Sequence, residues 1–86
     1  MEKSVHTRDY AVLLELLLET RHAAGVTQVQ LAERIDESQS HLSKMERGEV
    51  RLDLIQVRTI CHALGTTLPR FVKELERRLT AGDREK

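Results

Sequence analysis

Eighty-six residues make one small domain with a modest core, of a size that is often marginal unless it oligomerises. Hydrophobic content of 40% beside 33% charge excludes a disordered chain, and 2% aromatic content, only Tyr10 and Phe71, excludes a stacking platform for RNA or single strands. Fourteen basic against fourteen acidic residues remove the basic footprint that phosphate neutralisation usually leaves; residues 21–58 alone hold six of each sign, so any contact with a polyanion rests on local arrangement.

Residues 1–7 are polar and are expected to fray. Thr7 or Asp9 caps a first helix that runs to about Ala24 and is stopped by Gly25. Its apolar stripe is Tyr10, Leu13, Leu14, Leu17 and Leu18, and Leu16 makes it wider than one core face needs. Some of these leucines are therefore expected to cover a partner.

Residues 27–48 organise the chain. Thr27 precedes the periodic run Val29, Leu31, Ala32 and Ile35, with Gln30 three positions on, the T-x-x-Q pattern of a capping box. Ser38 repeats the start signal ahead of Leu42 and Met45. Only Asp36, Glu37 and Ser38 separate the two short helices, and small Ala32 suits a close crossing. The pattern predicts a helix-turn-helix whose second helix can enter a major groove.

After a loop over 49–52, Asp53 caps a fourth helix with Gln56 three residues later. Its stripe is Leu52, either Leu54 or Ile55, then Ile60, Ala63 and Leu64, ending at Gly65. Thr67 caps a fifth helix, with Pro69 tolerated in the first turn. Leu68, Phe71, Val72, Leu75 and Leu79 recur at helical spacing along it, and residues 80–86 are expected as a disordered tail. The expected fold is all-α, a compact five-helix domain with an ordered core over about 8–79.

Gln39, Ser40, Ser43 and Lys44 share the side of the second short helix opposite Leu42 and Met45. In a helix-turn-helix that side faces base edges, with His41 on its flank. Gln39 can pair with adenine N6 and N7, and Lys44 can reach guanine or a phosphate. Thr27 and Gln28, at the start of the preceding helix, fall against the DNA backbone, and Arg47 and Arg51 are placed to clamp the other strand.

The segments Gly25-Val26-Thr27-Gln28, Leu31-Ala32, Ser38-Gln39-Ser40, Leu42-Ser43-Lys44-Met45-Glu46, Arg47-Gly48 and Ala63-Leu64-Gly65 together resemble the Cro/cI-type helix-turn-helix family, also called the XRE family of bacterial and phage repressors. The resemblance covers roughly residues 14–71 and implies a lambda-repressor-like fold. It also implies that Arg21 pairs with Glu46 beneath the DNA-facing surface, and that Gln28 holds a phosphate. One departure is Asp36, where the family usually has glycine; aspartate enters the left-handed region less readily.

Other chemistry is sparse. His6, His22, His41 and His62 form no H-x-x-x-H pair, Cys61 and His62 point apart on a helix, and the glycines are too scattered for a phosphate cradle, so no metal, cofactor, small-molecule substrate or enzyme activity is expected. The single Cys61 rules out an internal disulfide and fits a reducing compartment. There is no signal-peptide pattern, and the leucines of the first helix, interrupted by Glu15 and Glu19, are too short to cross a bilayer; the expected location is cytoplasmic.

The expected function is sequence-specific binding of double-stranded DNA by a transcriptional regulator. One recognition helix reads few base pairs, so a homodimer on a pseudo-palindromic operator is expected, with Phe71, Leu75 and Leu79 at its interface. The alternative is a protein-interaction module, or an antitoxin bound to a toxin, that keeps the fold with weak or no DNA binding. The balanced charge is its support.

Overall fold

The computed structural model describes residues 7–84, so the expected fraying at 1–6, His6 and the last two residues lie outside the described residues. Five helices follow in order: α1 (Arg8–Ala23), α2 (Gln28–Arg34), α3 (Gln39–Glu46), α4 (Leu54–Ala63) and α5 (Leu68–Arg84).

Each helix opens on a side-chain cap. Thr7 accepts from the Tyr10 amide, Ser38 from the His41 amide and Thr67 from the Arg70 amide. Thr27 with Gln30, and Asp53 with Gln56, form reciprocal capping boxes. Each cap satisfies amides that have no intrahelical acceptor and stabilises by roughly 0.5–2 kcal/mol.

Four helix ends close through one hydrogen-bond pattern, in which the residue after a left-handed position reaches back five residues. Val26 donates to Arg21, Glu37 to Ala32, Glu49 to Lys44 and Thr66 to Cys61. Glycine takes the left-handed position at three of these ends, but at the end of α2 it falls to Asp36, with φ of 59°.

The core is mostly aliphatic, with Leu31, Leu42, Met45 and Cys61 almost fully enclosed and the rings of Phe71 and Tyr10 also buried. α2 packs on α3 and α4, while α1 packs on both α3 and α5. The Tyr10 hydroxyl accepts from the Leu52 amide at 2.8 Å, which ties the start of α1 to the loop before α4. At the other end of that helix, Arg34 of α2 donates to the Ala63 carbonyl.

Several expected faces are corrected. α1 touches two neighbours, so its buried arc takes in Leu16 and Leu17, and Leu18 falls outside it. In α4 neither Leu54 nor Ile55 is interior; Val57, Ile60, Cys61 and Leu64 form the buried row. Leu54 keeps the register of that row but lies in the opening turn, at the mouth of a cleft shared with Leu13, Leu68 and Val72. Val29 likewise points outward from α2.

Phe71, expected at a subunit interface, is only 4% exposed and belongs to this chain's own core, because the second turn of α5 folds back over α1 and α4. Nor is the stretch from residue 80 a structureless tail: α5 continues to Arg84. Arg78 bonds Glu19 of α1 at 2.7 Å and Glu74 of its own helix at 2.8 Å. Hydrogen bonds from Arg77 and Arg78 hold the Glu74 carboxyl well below the carboxylate range, at about 2.

Asp36 generates a stability prediction. A left-handed non-glycine residue costs about 1–2 kcal/mol, and glycine's extra unfolded-state entropy costs about 0.5–1 kcal/mol. Asp36→Gly should therefore raise stability by about 0.5–1 kcal/mol, a Tm gain of roughly 2–8 °C by calorimetry. A level or lower Tm would mean that the Asp36 side chain stabilises the turn by more than its backbone strains it.

Candidate nucleic-acid interface

The α2–turn–α3 unit presents one polar surface. Leu42 and Met45, 1% and 2% exposed, pin α3 from behind, and Ala32 is buried beneath it. On the outer side Gln39, Ser40 and Lys44 are exposed, while His41 and Ser43 are half-buried. Thr27 is exposed and Gln28 half-buried at the start of α2.

Behind this surface lies a hydrogen-bonded series that crosses three helices. Arg21 of α1 is 8% exposed and meets Glu46 of α3 through two bonds, Nε to Oε2 at 2.8 Å and Nη2 to Oε1 at 3.1 Å. Its third donor group, Nη1, reaches the Val26 carbonyl at 3.1 Å. Glu46 Oε1 also accepts from Gln28 Nε2 at 2.9 Å, and Gln28 Oε1 in turn accepts from Gln39 Nε2 at 3.3 Å. The expected Arg21–Glu46 pair is thus present, and it is joined to two of the residues expected to meet DNA.

That junction was not readable from the sequence. Glu46 stands eighteen positions from Gln28, and Gln39 eleven from it, so no helical spacing relates them. The missed signal was the combination of an acidic residue at the end of α3 with glutamines at the starts of α2 and α3.

Arg47 and Arg51, the expected backbone clamps, each have a partner within the chain. Arg47, at the end of α3, donates to Glu49 at 2.7 Å and to the Ser43 hydroxyl. The hydrogen bond from Arg47 holds the Glu49 carboxyl below its ordinary value. Both partners are more than half exposed, and such a pair is worth about 0–1 kcal/mol, so exchanging Glu49 for a phosphate costs little. Arg51 lies with its guanidinium 4.8 Å from the centre of the Tyr10 ring at the start of α1.

Among the described residues no group of three or more histidine, cysteine, aspartate or glutamate side chains is placed to hold a metal ion. Cys61 is fully buried, and desolvation pushes its thiol up. Among the described residues no helix is long and apolar enough to cross a membrane.

Comparison with known proteins converges on this unit. The helix-turn-helix family profile matches residues 17–71. An XRE-family like protein from Pseudomonas syringae pv. tomato str. DC3000 is 43% identical, aligns over 87% of this chain and 92% of its own, and superposes with a TM-score of 0.80. The clp gene regulator ClgR from Corynebacterium glutamicum is 30% identical over 86% of this chain and 81% of its own, with a TM-score of 0.70. A second structure of that regulator superposes at 0.72, with 29% identity over 85% of this chain and 95% of its own. No curated protein matches the chain.

The buried pair predicts an asymmetric effect. Arg21→Ala strands the Glu46 carboxylate, which should cost about 3 kcal/mol, the low end for a broken buried pair because Glu46 retains some exposure. Thermal melting should then fall by at least about 10 °C. A fall of only a degree or two would assign the pair the weight of a surface contact.

Proposed function

The chain belongs to the XRE family of helix-turn-helix proteins, DNA-binding transcription regulators, and on that premise we propose that it reads a specific double-stranded operator with α3 in the major groove. The observation that carries the reading is the outward set Gln39, Ser40 and Lys44 on a short helix anchored by Leu42 and Met45. Gln39, Ser40, Ser43 and Lys44 would meet base edges, with His41 beside them. Thr27, Gln28, Arg47 and Arg51 would meet the backbone.

We further propose a homodimer on a pseudo-palindromic site, with recognition helices about 34 Å apart. Phe71 is committed to the core, so the interface falls to the outer side of α5. Val72 there is 42% exposed, and Leu75 and Leu79 follow it half-buried. Leu54, at 64% exposure, borders the same cleft. A second copy is the favoured occupant because two-fold symmetry doubles the DNA read.

The balanced charge favours one competing reading, a protein-interaction module or antitoxin with weak or no DNA binding. Salt separates the two. A regulator's affinity steepens as salt falls, whereas a module shows no duplex binding even at low salt.

Two substitutions test the division of labour. Gln39→Ala should cost about 1–3 kcal/mol on the preferred site and relax choice at one base position. Arg47→Ala should weaken all sequences alike and reduce the salt slope by about one. Uniform losses from both, measured by anisotropy on matched and mismatched duplexes, would refute the assigned roles.

The interface has its own check. Val72→Asp, at a position 42% exposed, should keep the helical content by circular dichroism while sedimentation shows monomer, operator affinity falls and the dependence of Tm on protein concentration is lost. An unchanged dimer would move the interface elsewhere.

A further inference from the structure

Tyr10 precedes the stretch that matches the family profile, residues 17–71, and it holds the loop between α3 and α4 in two ways. The Thr7 side chain caps its amide, which fixes it in the opening turn of α1, and only 7% of it is exposed. From there its hydroxyl accepts from the Leu52 amide at 2.8 Å, across 42 positions of sequence. Its ring carries the Arg51 guanidinium, 4.8 Å from the centre.

The loop is pinned at both ends, where the Glu49 amide reaches the Lys44 carbonyl and Asp53 caps α4. Between these points Val50 and Leu52 turn inward, half-buried against the core, and Arg51 alternates outward. An exposed arginine loses rotamer freedom when it closes on a phosphate. A ring face restrains a guanidinium beforehand without taking up any of its N–H donors.

We propose that Tyr10 is a positioning residue for DNA: through the Leu52 amide and its own ring it holds Arg51 ready for a phosphate. Its contribution is to affinity on every sequence and leaves base choice to α3.

The proposal rests on the reading of Arg51 as a backbone contact, and its test keeps the two apart. Anisotropy across a range of salt, on matched and mismatched duplexes, compares the parent with Tyr10→Phe, Tyr10→Leu, Arg51→Ala and both double variants. Melting curves set a temperature at which each chain is folded. Tyr10 also borders the cleft beside α5, so sedimentation verifies that the variants keep the parent's subunit number.

Arg51→Ala removes a charge and should reduce the salt slope by about one. Tyr10→Leu keeps that charge but releases it, so affinity should fall on the order of fivefold on every duplex while the slope is kept. Tyr10→Phe keeps the ring and strands the Leu52 amide, and should lower affinity about twofold. In the Arg51→Ala background neither change at Tyr10 should lower affinity further. Should Tyr10→Leu fail to fold, Tyr10→Phe and its double variant decide alone.

A loss that persists in the Arg51→Ala background gives Tyr10 a purely structural part and overturns the proposal. A Tyr10→Leu chain that folds and binds as tightly as the parent overturns it too. If Arg51→Ala itself changes neither affinity nor slope, Arg51 is no clamp, and the positioning role falls while the regulator stands. A parent that binds no duplex at any salt removes both.

Discussion

Arg21 is a full charge carried to a position with little access to water, and the arrangement around it determines how the first three helices meet. Its guanidinium spends Nε and Nη2 on Glu46 and Nη1 on the Val26 carbonyl. Those acceptors lie at the end of α3 and in the segment that leads into α2. A pair of this kind is close to neutral in net stability, because desolvation offsets the attraction. Its contribution is geometric: a small shift of α3 along α1 would strand one charge. Among the described residues no enclosed side-chain nitrogen or oxygen lacks a partner, so the network is complete as built.

Rigidity matters here because the reading unit is short. α2 has seven residues and α3 eight, whereas isolated helices below about 12–15 residues are marginal in water. Two features compensate. Each helix is capped at its start, and its end is closed by a left-handed residue. Leu31, Leu42 and Met45 then bury the shared inner face almost completely. The side chains on the outer face are consequently carried on a frame with little freedom to tilt.

What could be read beforehand divides along sequence distance. Caps at Thr27, Ser38 and Asp53, and the left-handed Asp36, are local matters in which donor and acceptor lie within a few residues, and they stand where expected. Helical spacing also identified Leu42 and Met45 against Gln39, Ser40 and Lys44. Spacing cannot say where a neighbouring helix stops, so it offers either Leu54 or Ile55 as core, where the structure buries Val57 and Cys61 instead. The same blindness assigned Phe71 to a partner and ended order at residue 79, because the contacts of α5 with α1 are set by packing. The branch from Glu46 to Gln28 and Gln39 is tertiary as well. The resemblance carried the Arg21–Glu46 pair but not its extension.

The zero net charge becomes informative beside this geometry. Non-specific grip on a duplex scales with the number of phosphates neutralised, and here fourteen acidic residues offset the fourteen basic ones. Arg47 is engaged by Glu49, and Arg51 lies over an aromatic ring, so neither projects as an unscreened charge. A regulator of this composition would lean less on the polyelectrolyte term than a basic one does. A larger share of its discrimination would come from directional bonds at α3. The orientation of polar side chains there would then matter, since a bidentate contact distinguishes bases by about 1–3 kcal/mol only when donor and acceptor are presented in the right order. The buried carboxylate that meets Arg21 also accepts from Gln28, which accepts from Gln39 in turn, so the bonds that align three helices reach the exposed side of α3.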